Sequence, residues 1–197
     1  MLKLEPIKRT DPRILADMAV HYSKPGGFVG RNICYAITYA GVYYGSIVGG
    51  SSTLHLIGRD PFFAIGSPDE HYPDMVVPKK VVLRRIVNNI FFHIEKIDGC
   101  YPVRNMVTKV LRMFRERVVV DWLDKYGDAV IGFESLVELP RTGEAYRRDG
   151  WEEVGVTKGN TCKRVSGKGK KRTDSWTGQR VWDTKNLRPK RVFVRFV

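Results

Sequence analysis

Residues 103–127, VRNMVTKVLRMFRERVVVDWLDKYG, carry the strongest helical pattern of the chain. Their apolar members recur at intervals of three and four residues: Val103, Met106, Val107, Val110, Leu111, Phe114, Val118 and Trp122. This spacing places them on one face of an amphipathic helix. Gly127 supplies the stop, because glycine readily adopts the left-handed conformation that ends helices. We therefore predict one long helix that packs its apolar face on a sheet.

The segments before this helix predict most of the sheet. Residues 81–94 are mostly apolar and indicate an interior strand, with a bulge near Asn88-Asn89. Residues 33–40 and 42–48 form two β-rich runs separated by Gly41, which favours a hairpin. A strand-like start precedes a helix over residues 13–20. The long connector 49–80 is either a functional flap or a plain surface excursion.

The segments after the helix complete an alternating pattern. Residues 129–133 predict a buried strand that ends at Glu134, residues 141–149 a short helix broken by Gly150, and residues 151–156 a further strand. Helices and strands in this order are typical of an α/β (α+β) fold, with a mixed central sheet flanked by helices.

Positive charge is concentrated near the C-terminus. Residues 158–195 contain thirteen Lys or Arg against two acids, which accounts for +11 of the whole-chain charge of +13. Trp176, Trp182, Phe193 and Phe196 lie in the same stretch, and aromatic rings can stack on bases. Nucleic acid is therefore the first partner to consider, and a disordered basic tail is the alternative.

We predict a domain over residues 1–157 and a basic, aromatic extension over residues 158–197 that packs on it and contacts DNA. The candidate DNA-binding residues are Lys158, Lys163, Arg164, Lys168, Lys170, Lys171, Arg172, Arg180, Lys185 and Arg188.

Other features of the sequence argue against several classes of protein and of binding site. The three cysteines are widely spaced and form no C-x-x-C pair, which argues against a disulfide framework or zinc ribbon. The histidines lack metal-ligand spacing, so the sequence names no metal ligands and does not support a metal site, without excluding one. Phosphate motifs such as G-x-G-x-x-G are missing, which argues against nucleotide hydrolysis. No stretch approaches eighteen apolar residues and no signal peptide is evident, so we expect a cytoplasmic protein without membrane contact.

Five residues could carry acid–base chemistry. His21, Tyr22 and Ser23 follow a helix and precede a glycine-rich loop, and an imidazole is the natural general base near neutral pH. Tyr146 lies on the short helix after the Glu134 strand, where its phenol could return a proton. Each has a plainer reading: a stabilising helix cap, a tyrosine packed against the sheet, and an exposed charge at a strand end.

Asn88 and Asn89 are amides within an apolar strand, which is costly unless they are hydrogen-bonded. They either bind a ligand or bracket the bulge.

Several short runs share an order with a known family. They are His21-Tyr22-Ser23, Ile86-Val87-Asn88-Asn89, residues 122–127 (WLDKYG), Arg141-Thr142-Gly143 with Tyr146-Arg147 and Gly150-Trp151, residues 154–159 (VGVTKG) and residues 181–190 (VWDTKNLRPK). The ordered set resembles the Mom family of phage DNA-modification proteins and spans nearly the whole chain.

The resemblance implies a fold related to the GNAT acyltransferases. It also implies that double-stranded DNA is the partner and that the exocyclic N6 amine of adenine receives an acetamido (carbamoylmethyl) group, which protects phage DNA from restriction. In that scheme His21 helps to take the amine proton and Tyr146 protonates or orients the leaving group. Tyr22 would stack on or hydrogen-bond the flipped base, and Glu134 would orient one of these groups.

The GNAT relation also implies a donor site at the N-terminus of the long helix. Arg104 and Asn105 precede that helix and, with Asn88 and Asn89, are the candidate cofactor-binding residues. The usual glycine-rich pyrophosphate loop is absent, although helix backbone amides can hold an anion. The group donor therefore stays open between acyl-coenzyme A and a glycine-derived molecule.

The sequence is compatible with two other functions. A subset of the runs is similar to the DruA component of Druantia-type antiphage systems, which implies a DNA-binding or defence module without adenine modification. The third reading is a GNAT-like enzyme that acts on protein or RNA.

Overall fold

A computed structural model describes residues 1–23, 25–67, 76, 78–157 and 188–197. Its strands are β1 (Leu2–Ile7), β2 (Asn32–Tyr39), β3 (Val42–Ser51), β4 (Ile86–Ile94), β5 (Gly132–Glu138), β6 (Glu152–Val156) and β7 (Lys190–Phe196). Its helices are α1 (Pro12–Val20), α2 (Arg59–Phe62), α3 (Lys79–Arg84), α4 (Met106–Tyr126) and α5 (Glu144–Arg148).

The strands form one mixed sheet in the order β1-β2-β3-β4-β5-β7-β6. β4 and β5 are parallel neighbours, and every other neighbouring pair is antiparallel. A parallel pair needs a long crossover, and α4 provides it. The predicted mixed α/β sheet flanked by helices is confirmed.

The core confirms the helical stripe from which the fold was predicted. Six α4 residues are buried: Met106, Val110, Leu111, Phe114, Val118 and Trp122. They pack against Tyr35, Ile47 and Phe133 of the sheet. α4 ends at Gly127, whose φ of 71° is left-handed.

β4 and β5 stay together for only part of their length. Their register begins at Ile86 with Gly132 and ends at Asn89 with Ser135. Beyond that point β4 continues along β3 to Ile94, while β5 continues along β7. The strands therefore part and open a gap at one end of the sheet.

A bulge marks the place where the strands part. Val48 of β3 pairs with Phe91, whereas the next residue, Gly49, pairs with Asn89, so Ile90 is the extra residue of β4. The bulge expected beside Asn88-Asn89 is confirmed.

The strand predicted over residues 81–94 is wrong in its first part. The chain forms α3 over Lys79–Arg84, and β4 begins at Ile86. Leu83 is buried against Ile86 and Leu56, whereas Val81 is 46% exposed. Packing of one buried leucine thus outweighs the strand preference of the valines.

Two further boundaries differ from expectation. β5 does not end at Glu134 but runs to Glu138, so Glu134 lies in mid-strand. The C-terminal extension ends as β7, between β5 and β6, and Val192, Phe193 and Val194 are fully buried there. The last residues therefore belong to the same sheet and core as the predicted domain.

Most candidate DNA-binding residues lie outside the described residues: Lys158, Lys163, Arg164, Lys168, Lys170, Lys171, Arg172, Arg180 and Lys185. Arg188 is described. Among the helices of the described ranges, none has the length and apolarity needed to cross a bilayer.

Candidate functional site

A cleft of about 620 Å³ lies where β4 and β5 part. His21, Tyr22 and Ser23 line one side of it, and Ser135 and Tyr146 line the other. A larger cavity, of about 800 Å³, lies at the opposite end of the sheet and contains none of the predicted catalytic residues. The cleft therefore brings together four of the five residues predicted to carry acid–base chemistry.

Tyr146 is held in place by a neutral network on β4 and β5. Its hydroxyl donates to Asn89 Oδ1 at 2.6 Å and lies 3.0 Å from the Ser135 hydroxyl. Its ring stacks on Phe193, with 5.3 Å between the ring centroids. Burial raises the pKa of Tyr146 above its usual value, so the phenol stays protonated at neutral pH. Such a group can serve as an acid but not as a base.

Gly143 positions the short helix that carries Tyr146. It precedes α5 with a left-handed φ of 72°, and a Cβ atom there would lie 2.3 Å from the Phe193 ring. Only glycine fits both the conformation and the close approach. The structure thus explains why the last residue of the Arg141-Thr142-Gly143 motif is glycine.

His21 faces the cleft from the end of α1. Its Nδ1 lies 2.8 Å from the Ser23 hydroxyl, and its ring lies 4.6 Å from that of Phe91, centroid to centroid. Burial, followed by the neighbouring His93, lowers the pKa of His21 to about 4. The imidazole is therefore neutral at physiological pH and a weaker base than an ordinary histidine, and its Nδ1 already accepts from the Ser23 amide at 3.3 Å.

His21 also fulfils the plainer reading as a helix cap. Its backbone N–H donates to the Asp17 carbonyl at 2.9 Å, which closes the last turn of α1. The capping bond uses the backbone, so the side chain remains available to the cleft.

Tyr22 contacts two planar groups. The Arg141 guanidinium carbon is 3.4 Å from the centre of its ring, and the His21 ring centroid is 4.1 Å from that centre. The His21 ring is tilted by 39° to that of Tyr22, whereas the guanidinium is at stacking distance from it. Stacking of a base on the face that Arg141 covers would require Arg141 to move, whereas hydrogen bonding to the Tyr22 hydroxyl would not.

Glu134 is not brought to the cleft. It lies on the other face of β5, where its carboxylate accepts from Asn88 Nδ2 at 2.9 Å and from the Thr53 amide at 2.7 Å, and forms an ion pair with Arg59. Glu134 and Arg59 are both fully buried. The structure thus separates Glu134 from His21 and Tyr146.

The two candidate amides likewise point to opposite faces. Asn88 Nδ2 contacts Glu134, whereas Asn89 Oδ1 accepts from Tyr146. Both residues also lie along the wall of the cleft. Their side chains bind protein groups on opposite faces of the sheet, just before the bulge.

The N-terminus of α4 lies beside the cleft, where Tyr101 and Val107 line it. Arg104 and Asn105 have exposed side chains and are not among the lining residues. Within the described ranges, the backbone amides of Val107 and Thr108 in the first turn have no partner. Such amides suit the phosphates of an acyl-coenzyme A donor. No group of three potential metal ligands occurs in the described part of the chain.

The cleft lining also includes residues that were not predicted as site residues, among them Ser135, Glu138 and Arg141. Glu138 is buried and accepts from Arg188 Nη1 at 2.7 Å. The motif around Arg141 was visible in the sequence, but nothing there indicated its contact with Tyr22. Ser135 and Glu138 follow Glu134 in a strand that was expected to end earlier.

The basic segment 158–187 joins the described fold at the end of the sheet that carries the cleft. The Thr157 amide donates to the Lys190 carbonyl at 2.8 Å, and Lys190 lines the cleft. Arg188, at the other end of the segment, contacts Glu138. Both flanks of the segment therefore lie beside the cleft.

No protein-family model matches the sequence, and no curated protein matches it. Solved structures do match the fold. A GNAT family acetyltransferase from Elizabethkingia anophelis with acetyl-CoA bound has 6% identity and a TM-score of 0.55, with 100% of this chain and 98% of that chain covered.

Two further structures are similar. An IAA acetyltransferase from Bacillus cereus has 10% identity and a TM-score of 0.51, with 100% of both chains covered. The ribosomal-protein-S18-alanine N-acetyltransferase from Escherichia coli has 10% identity and a TM-score of 0.51, with 100% of this chain and 94% of that chain covered. At these identities the likeness shows the GNAT fold alone.

Proposed function

We propose that this protein is a GNAT-fold transferase that adds an acetamido (carbamoylmethyl) group to the exocyclic N6 amine of adenine in DNA. One observation carries the proposal: His21 and Tyr146 reach the same cleft from opposite sides of the parted strands. The Mom-like motifs supply the substrate, and in a phage such a mark would protect DNA from restriction.

The charge distribution supports a polyanionic acceptor. Residues 158–187 contain nine Lys or Arg against two acids, and their flanking residues lie beside the cleft. Lysine and arginine that neutralise phosphates dominate affinity for DNA. The adenine amine is engaged in base pairing, so the base would leave the duplex to reach His21.

The two proton transfers of the reaction are assigned to two residues of the cleft, His21 and Tyr146. The adenine N6 forms a bond to the transferred carbon while the bond from that carbon to the donor's leaving group breaks. One amine proton passes toward the His21 ring, whose Nδ1 would have to release the Ser23 amide to accept it, and the Tyr146 hydroxyl gives its proton to the leaving group. Exchange with water then restores both side chains.

The donor stays open between acyl-coenzyme A and a glycine-derived molecule. Phosphates of the former would bind the first-turn amides of α4, next to Tyr101 and Val107. An acyl-coenzyme A would react at its thioester carbon, release the thiol and leave an acyl group on N6, whereas the carbamoylmethyl product requires a donor whose leaving group is on the methylene carbon.

The test is expression in a bacterium, followed by digestion of total DNA and mass spectrometry of its nucleosides. We expect an adenine adduct that falls by about 100-fold or more with Tyr146→Phe, because a positioned acid contributes 10²- to 10⁴-fold. Tyr126→Phe is the matched control: its hydroxyl is hydrogen-bonded to Asn32, far from the cleft. Unmodified adenine, in cells and with added acyl-coenzyme A, would contradict the proposal.

The DruA-like reading, a DNA-binding module without chemistry, is favoured by one observation. The Tyr146 hydroxyl already has partners in Asn89 and Ser135, as a purely structural tyrosine would. That reading predicts salt-dependent DNA binding and no change in adenine mass.

A further inference from the structure

Arg141 differs from the arginines around it. Within the described ranges its guanidinium forms no ion pair, although it lies beside a cleft that also contains Glu138. Its neighbours are paired with acids: Arg147 and Arg191 with Glu153, Arg148 with Glu144, and Arg188 with Glu138. A cation without an acidic partner at the mouth of a cleft is available to an anion from outside.

The orientation of Arg141 is fixed although its charge is unpaired. Its backbone N–H donates to the Glu138 carbonyl at 3.1 Å, and its guanidinium lies flat on Tyr22. Tyr22 also contacts the His21 ring, with 4.1 Å between the ring centroids. The stack therefore holds the guanidinium plane while leaving its edge, which carries the N–H donors, free of described partners.

The edge of a guanidinium is suited to a phosphate group, because two N–H donors can match two phosphate oxygens. The position beside His21 matters equally, since His21 is the group assigned to the acceptor amine. A phosphate bound to Arg141 would thus belong to the nucleotide whose base enters the cleft.

We propose that Arg141, held flat by Tyr22, binds the backbone phosphate next to the acceptor base. The inference rests on the proposed function for the identity of the base. It adds that the acceptor is recognised as a nucleotide within a strand, so a free base or nucleoside is a poor substrate. Arg141 is a positioning residue in this scheme.

The test is binding of a labelled nine-nucleotide single strand with one central adenine, measured by fluorescence anisotropy. One version carries neutral methylphosphonates at the two linkages that flank the adenine. The other carries the same two methylphosphonates at its 3′ end, so both strands have equal charge. A single strand needs no base flipping, and the assay needs no group transfer.

We expect the wild type to bind the strand with intact flanking phosphates about tenfold more tightly, as for one charge-assisted contact. Arg141→Ala should bind both strands equally. Arg148→Ala removes an equally exposed charge that is paired with Glu144, and it should keep the tenfold preference.

Equal wild-type affinity for the two strands, or no binding of either, would overturn the inference. So would a tenfold preference that survives Arg141→Ala, which would indicate that another cation binds the phosphate. If the preference behaves as expected but DNA adenines stay unmodified, the proposed function fails and the phosphate contact stands.

Discussion

The two faces of the paired segment of β4 and β5 hold different chemistry one residue apart. On one face Asn88 and Glu134 join a charged network with Arg59, fully buried at its centre. On the other face Asn89 and Ser135 hold the Tyr146 hydroxyl in a neutral network beside the cleft. The charged network around Glu134 therefore stabilises the fold, whereas the Tyr146 hydroxyl on the other face is suited to proton transfer.

The charged face fixes the connector that follows β3. Arg59 donates to the Thr53 carbonyl at 2.7 Å and to Asp60 at 2.6 Å, and Lys79 also pairs with Asp60. The first part of the connector is thus tied to the sheet. The flap reading is not needed for residues 53–60, whose contacts are those of a stabilising loop.

Glu134→Ala is the largest expected perturbation. It leaves the fully buried Arg59 without its carboxylate, and removing one partner of a buried ion pair costs about 3–5 kcal/mol of unfolding free energy. Chemical denaturation measures the loss. In Glu134→Leu/Arg59→Met, which removes both charges, we expect much of it to be recovered. A single variant as stable as the wild type would refute the structural role of the charged face.

Gly143→Ala should perturb the neutral face nearly as strongly. The new Cβ meets the Phe193 ring in a left-handed backbone conformation, so we expect a loss of about 2–4 kcal/mol in unfolding free energy. Gly66→Ala is the control, because its φ is 86° but nothing lies within 4 Å of the added atom. It should lose only about 1 kcal/mol. Equal losses for the two variants would show that Phe193 yields to the added methyl group.

Tyr146→Phe should have a smaller effect on stability than on chemistry. It removes the donor to the buried Asn89 Oδ1 but leaves the ring on Phe193, so we expect a loss of about 1–2 kcal/mol. Thermal or chemical unfolding, compared with Tyr126→Phe, checks this. A loss above that of Glu134→Ala would reverse the assignment of the two faces.

The effect of His21 should be visible as a dependence of stability on pH. Its pKa is about 4 in the folded protein and ordinarily 6.5, so the unfolded state binds more protons between these values. The stability of the wild type should therefore fall relative to His21→Gln as the pH drops from about 6.5 to 4. Comparison of the two proteins removes the contribution of Asp17, whose pKa burial raises. Parallel stability curves would contradict the buried, neutral imidazole.

Local patterns in the sequence were sufficient for much of the sheet. The stripe of α4, the hairpin of β2 and β3, and the bulge beside Asn89 each follow from residue spacing. The segment of β7 was predicted to be part of the basic extension because of its charge. Its residues 192–194, however, form an apolar run that is buried. The segment of α3 was predicted to be a strand because valines precede Leu83. The packing of Leu83 on Leu56, which accompanies the helix, is visible only in the structure.

The sequence predicted most of the residues of the candidate site but not how they are arranged in space. His21, Tyr22, Ser23 and Tyr146 meet at one cleft, as the order of elements suggested. Glu134 fell on the wrong face because its strand runs four residues further than expected, and side chains alternate along a strand. The contact of Arg141 with Tyr22 joins residues 119 positions apart, which no local pattern encodes.

The most direct test compares Tyr146→Phe with Glu134→Gln in one adenine-modification assay, with rates expressed per folded molecule. The account predicts that Tyr146→Phe folds and loses about 100-fold or more of its rate. Glu134→Gln should be less stable, while its folded fraction modifies DNA at nearly the wild-type rate. A full rate for Tyr146→Phe together with an inactive, folded Glu134→Gln would contradict the central claim that the chemistry belongs to the neutral face.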